Sequence, residues 1–263
     1  MATKWFHKVS LDWLKARQGH ITATDVRKLL PVTKTGRKRT VSDIDKWSIL
    51  ASKKVNLTED DCQSTGAAAR GHVLEPYALE FFNEKIGEAC GEILHHWDDV
   101  LLVKDTVMGT LAFSPDATDQ EQPEYPGISK LHVPNIRYIG EVKCYGADRH
   151  YACGHTPKEE LEERWQIAAA MAVYESIDHA WLIFFNPSLE DQMYVVRYSR
   201  AELADEIAIC LDVEQDWLDF LINRCNHYTN DLYCGDECRE VDIIADIIDS
   251  ERLNPDGEKS VIV

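Results

Sequence analysis

Residues 138–146 read YIGEVKCYG. Glu141 and Lys143 stand two apart in a run otherwise made of strand formers and glycine, and in a strand residues two apart share a face. On a solvated strand the pair would serve solubility. On a buried one both charges lose their water at considerable cost, so the pair calls for a further reason. One lies upstream in SPDAT, 114–118, where Asp116 follows Pro115 at the end of a strand-like run. If 107–116 and 136–145 pair as neighbouring strands, Asp116 and Glu141 converge on one place. Two carboxylates that close repel each other, and a divalent cation is the natural neutraliser. Hard oxygen ligands suit Mg²⁺, which keeps several waters and shares its sphere with a phosphate. Lys143, on the face of Glu141, would then meet the attacking water or the phosphate.

The rest of the chain supplies layers to cover such a strand. Helices are expected at 10–18, at 24–30 behind Thr22 or Thr24 as N-cap, and at 43–55. A long helical pattern runs from Gly66 to about Gly87, with Pro76 inside it and a kink or break expected near Glu75. Strand-like segments follow at 91–96, 99–103, 107–114 and 136–145. A second long helix is read over 156–176 from a Thr156–Glu159 capping box with Pro157 at the first helical position. AWLIFF (180–185) reads as a fully buried strand and QMYVVRYS (192–199) as its partner. A third long helix over 199–223 opens on a Ser199–Glu202 box. The pattern is α/β, of the layered α+β kind: a central mixed sheet flanked by helices, in one domain.

Charge divides the chain unevenly. The net charge is −18 over 263 residues, yet residues 1–54 carry +9 and the remainder −27. Nine of the cations lie between Arg27 and Lys54, a phosphate-facing surface on an acidic body. There is no run of 18 apolar residues and no signal-peptide pattern, so a cytoplasmic protein is expected. The eight cysteines form no CxxC pair and read as reduced thiols.

SPDAT followed by GEVKC resembles the core of the PD-(D/E)XK nucleases. Three further stretches narrow the resemblance: WLKARQGHITATD (13–25), ARGHVLEPYALEFF (69–82), with its Gly-x-x-x-Glu, and RWQIAAAMAV (164–173). In that order they are similar to the lambda exonuclease / YqaJ viral recombinase family. The resemblance implies a restriction-endonuclease-like core and Mg²⁺, with Mn²⁺ as a substitute. Asp116, Glu141 and the main-chain carbonyl of Val142 would be ligands, and Glu75 would complete a second-metal or water-mediated contact. Lys143 would orient or help deprotonate the water, and Gln166 would hold the water network or the backbone. Arg17 would bind a terminal 5′-phosphate, assisted by Thr22 and Thr24. Residues 1–60 become a basic helical part that binds DNA ends, 61–200 the catalytic core, and 201–263 a helix with an acidic tail.

The function so implied is metal-dependent hydrolysis of one strand of linear double-stranded DNA from 5′-phosphorylated ends, leaving 3′ tails for phage-type recombination. A single-strand annealing protein and a homo-oligomer, a trimer by analogy, are the implied partners, in the host cytoplasm if a phage encodes the chain. The rival readings are an endonuclease of the same superfold and a non-catalytic DNA-end binder or DNA mimic. Two departures stand out: Ala117 where the family often has Gly, and a long insertion between Asp116 and Glu141. HHWDD (95–99) is set aside as a metal site because adjacent histidines in a strand point to opposite faces, DRHYACGH (148–155) because its position reads as a loop near the DNA, and Cys225, Cys234 and Cys238 because their spacing does not match an iron–sulfur site and a fourth ligand is missing.

Overall fold

The computed structural model describes residues 6–8, 11–17, 20–31, 40–52, 62–103, 111–122 and 135–230. The basic loop read at 35–40 lies almost wholly outside them, as do most of the 117–135 insertion, the acidic tail, Cys234 and Cys238.

The centre is a five-stranded mixed sheet of β4 (His95–His96), β7 (Ala117–Thr118), β8 (Tyr138–Lys143), β9 (His179–Phe185) and β10 (Met193–Ser199), in the order β10-β9-β8-β7-β4. β8 and β9 run parallel and the other pairs antiparallel. Alternation along β8 divides its side chains between two cores. Ile139 joins a large cluster with α2 (Ala23–Leu29), α7 (Arg164–Val173) and α8 (Ala204–Asn230). Val142 joins a smaller cluster with α4 (Gly66–Phe82). The result is three layers, helices on both faces of the sheet, the expected class.

Each helix layer follows from composition. Every residue of α7 from Trp165 to Val173 is buried, and its alanines at 168–170 and 172 let it pack tightly between the sheet, α2 and α8. β9 is buried over its last four residues, as the unbroken apolar run implies, and pairs with β10 along its whole length. Among the described residues no helix is long and apolar enough to cross a membrane.

Several expectations are corrected. Of the stretch read as 107–116, the described residues 111–116 do not form a strand beside 136–145. Instead β6 (Leu111–Phe113) lies in a separate sheet between β2 (Ile21–Thr22) and β5 (Leu102–Val103), and only Ala117 and Thr118 pair with β8, opposite Gly140 and Ile139. A third small sheet pairs β1 (Phe6–Lys8) with β3 (Gln63–Thr65). The helix read over 156–176 begins only at Arg164. Thr156 instead closes α6 (Ala147–His155), donating its hydroxyl to the Ala152 carbonyl, and Pro157 starts a short 3₁₀ turn, Lys158–Glu160. A capping-box spacing carries no weight when an upstream helix has already taken the threonine. Residues 148–155, read as a loop, are therefore helical, with His150 buried and on the Asp191 carbonyl at 2.8 Å.

Pro76 does not break α4, which runs on through a π-helical turn, Asn83–Gly87, and α5 (Glu88–Cys90) to a left-handed Gly91, φ +71°. α1 (Leu11–Ala16) and α3 (Asp43–Ser52) lie where helices were read. The Ser199–Glu202 box forms, with Glu202 accepting from the Ser199 N–H at 2.8 Å, but a turn separates it from α8.

Candidate active site

Asp116 lies in the bend between β6 and β7, where the chain passes from the small sheet to the central one. β7 ends its pairing with β8 at Gly140, so beyond that point the edge of β8 has no strand beside it. Asp116 takes the vacant place: its Oδ2 accepts the Val142 N–H at 2.7 Å. A residue's N–H and C=O point to the same side of a strand, so the Val142 carbonyl faces this edge too. Ala117 is fully buried, and Gly140 opposite it leaves room. A methyl on Gly140 would come 3.4 Å from Ala117 Cβ and 2.8 Å from Leu94 Cδ1. The alanine in place of the family's glycine is thus accommodated across the ladder.

Glu141 and Lys143 share a face and touch: the Lys143 ammonium donates to Glu141 Oε1. Their side chains are only 13% and 18% exposed. Burial works against the ammonium, but Glu141 and Asp116 outweigh it and raise its pKa above the ordinary lysine value. Asp116 is pushed well above the usual carboxylate range, first by burial and then by repulsion from Glu141 and Glu75.

Glu75 reaches in from α4. Its Oε2 lies 3.5 Å from His72 Nδ1 and 4.0 Å from His96 Nε2, and the hydrogen bond to Glu75 raises the His72 pKa. A methyl on Gly71 would meet Glu75 Oε1 at an ordinary 3.6 Å, so the glycine keeps the wall open without being sterically required.

The far wall belongs to the N-terminal part. Arg17 stacks on Trp13 at 4.3 Å, and its Nη2 donates to Thr22 Oγ1 at 3.5 Å. Burial lowers its pKa, against an opposing pull from Asp25, and a guanidinium stays charged regardless. Trp13 Nε1 donates to Ser114 Oγ at 3.0 Å and so ties this wall to the SPD bend. Thr22 is the buried N-cap of α2; its N–H and hydroxyl both donate to Asp25 Oδ2, at 3.1 and 2.8 Å. Thr24 is exposed, and its oxygen accepts Gln166 Nε2 at 3.0 Å, leaving its hydroxyl hydrogen uncommitted.

Arg17, Thr22, Thr24, Glu75, Asp116, Glu141, Val142, Lys143 and Gln166 all line one cleft of about 460 Å³. Sequence reading missed others on its walls: Trp13, Arg70, His72 and Tyr145. The i,i+4 spacing of Trp13 and Arg17 was a legible signal. Arg70 had none, since it does not share a helical face with Glu75. Tyr145 donates to the buried Glu163 at 2.7 Å, and Arg149 joins it at 2.8 Å, fixing the chain just beyond Lys143. Among the described residues no three His, Cys, Asp or Glu side chains form a ready metal cage. The basic surface expected of residues 27–54 is partly used inside the fold, Arg27 on Glu162 at 2.5 Å and Lys46 on Asp216 at 2.8 Å.

Residues 12–176 match the model of the YqaJ-like viral recombinase domain. The fold is similar to that of an alkaline exonuclease, LHK-Exo, from Laribacter hongkongensis, at 18% identity and a TM-score of 0.52, covering 83% of this chain and all of that one. The same enzyme in complex with dAMP aligns at 17% identity and a TM-score of 0.50, over 82% and 99% of the two chains. No curated protein matches the sequence. With the family model covering the cleft and three strands of the central sheet, the chain belongs to the YqaJ-like viral recombinase domain family and has the lambda-exonuclease-like PD-(D/E)XK fold.

Proposed function

We propose that the protein is a Mg²⁺-dependent exonuclease that hydrolyses one strand of linear double-stranded DNA from a 5′-phosphorylated end and leaves a 3′ single-stranded tail. One observation carries the reading: Asp116, Glu141 and Lys143 share a single cleft with Glu75 on one wall and Arg17 on another. The alkaline exonuclease neighbour and the recombinase family support the same class of reaction.

The residues fit a hard divalent cation, because Asp116 is held beside two other carboxylates that raise the cost of its own charge. Mg²⁺, or Mn²⁺ in its place, would be held by Asp116, Glu141 and the Val142 carbonyl, with Glu75 near. Such an ion needs only one or two carboxylates and keeps its waters, so a complete protein cage is not required. When bound it supplies positive charge against the scissile phosphate and acidifies water. Lys143, in contact with Glu141, would orient or help deprotonate the attacking water and stabilise the charged phosphorane. Water attacks phosphorus in line and the 3′ oxygen leaves, releasing a mononucleotide. Arg17 offers its fork to the terminal phosphate. Thr24 is the hydroxyl free to assist, oriented by Gln166, whereas Thr22 caps the helix. An annealing protein and a ring of like subunits remain the partners that family resemblance proposes.

The test uses linear duplexes with and without a 5′-phosphate, and a circular duplex, in Mg²⁺ or EDTA. Digestion in Mg²⁺ should favour the phosphorylated linear duplex and spare the circle. Lys143→Ala should slow it at least ~10²-fold. Arg17→Ala should abolish the preference for a phosphorylated end more than the chemistry. Cutting of the circle would favour the endonuclease reading instead.

A further inference from the structure

The arginines whose side chains are described divide by what their guanidinium groups touch. Arg27, Arg137, Arg149, Arg164 and Arg197 each meet a carboxylate, those of Glu162, Asp178, Glu163, Glu206 and Glu92. Arg200 donates to three main-chain carbonyls, Ile177, Met171 and Tyr174. Two arginines are left with neither arrangement, Arg17 and Arg70, and both line the cleft. In a chain of net charge −18, arginines without a carboxylate partner are the exception, and their gathering in one cleft marks a place where an anion completes the site.

Arg70 comes from α4, a different wall from Arg17. Its Nη1 donates to the Cys144 carbonyl at 2.7 Å. That bond holds the guanidinium at the end of β8, one residue past Lys143, and uses one of five donors. The other N–H groups have no protein partner among the described residues. A guanidinium anchored on one side and open on the other is suited to a phosphate's paired oxygens.

We propose that Arg70 binds an internal phosphodiester of the DNA backbone, separate from the terminal phosphate assigned to Arg17; this rests on the nuclease reading above. An internal phosphate is present whether or not the 5′ end carries one. Arg70 therefore contributes to affinity for any duplex end, while Arg17 discriminates between ends.

Binding is measured by fluorescence anisotropy in EDTA, so that no hydrolysis enters, with 5′-phosphorylated and 5′-hydroxyl duplexes over a salt series. Arg70→Gln should weaken both duplexes by the same factor, roughly 5- to 10-fold, and flatten the slope of log K against log salt by about 0.9, one phosphate contact. Arg70→Lys, which keeps the charge, should recover the slope. A purely structural role through Cys144 would lower the melting temperature and leave the slope of the folded protein as in wild type, and that result overturns the proposal. So does a loss confined to the phosphorylated duplex, or an Arg70→Lys slope as flat as that of Arg70→Gln. Wild-type protein that binds neither duplex would remove the nuclease reading itself, before any variant is compared.

Discussion

Glu92 and Asp116 are two carboxylates against the same sheet, and the fold treats them in opposite ways. Glu92 is surrounded by donors: His179 and Trp181 at 2.9 and 2.7 Å on one oxygen, Arg197 at 3.4 Å on the other. Burial alone would raise its pKa, but these hydrogen bonds and charges reverse the sign and lower it. Asp116 accepts one main-chain N–H, and burial, with repulsion from Glu141 and Glu75, outweighs that bond and the pull of Lys143, so its pKa rises. Glu92 is a finished contact joining the end of the α4–α5 segment to β9 and β10. Asp116 is the carboxylate that the proposed cation would complete. A satisfied carboxylate stabilises a fold, whereas an incompletely satisfied one costs stability and marks chemistry.

The comparison can be broken in four ways. The largest effect should come from Asp116→Asn, which keeps an acceptor for the Val142 N–H but removes the charge; the rate of duplex digestion should fall at least ~10²-fold. Next, Mg²⁺ should raise the thermal stability of the wild type by about 2.7 kcal/mol at 100 times its Kd and leave Asp116→Asn unmoved. Equal stabilisation of the two proteins in calorimetry would place the ion elsewhere.

Glu92→Gln, by contrast, should destabilise by about 1–2 kcal/mol through weakened hydrogen bonds to a charged group, partly screened by solvent. The sign follows from a folded-state pKa below the unfolded one. The contribution is present above the unfolded value of about 4.3 and is lost as pH falls through the folded one. Urea melts of wild type and Glu92→Gln should therefore differ at pH 7 and converge in acid. The smallest effect is the most diagnostic: in EDTA at pH 7, Asp116→Asn should be more stable than wild type by ~1 kcal/mol, because a repelled charge has gone. A lower melting point would mean that Asp116 is another Glu92.

The site was more legible than the scaffold that assembles it. Glu141 and Lys143 could be assigned to one face because a strand's period of two is a local property. Asp116 could be associated with them only by assuming a strand pairing, and that pairing was wrong: β6 leaves for another sheet and Ala117–Thr118 take its place. Asp116 still reaches Val142 because the change of sheet occurs at the bend it occupies. The false capping box at Thr156 failed for a related reason: spacing describes what a segment could do, not which neighbour has already claimed its hydroxyl.

Local patterns pointed to the layered α/β class, to the buried β9 with β10 as its partner, to the presence but not the bounds of the α4 and α7 helices, and to the polar groups proposed for a metal and a phosphate. Periodicity and side-chain chemistry act over a few residues and need no fold to be read. Tertiary structure alone decided that Thr22 caps while Thr24 remains open, that Arg27 and Lys46 are occupied by acids more than a hundred residues away, and that Arg70 is not. Which charges are neutralised and which are left facing a cleft depends on distances between remote segments, and such distances exist only once the chain has folded.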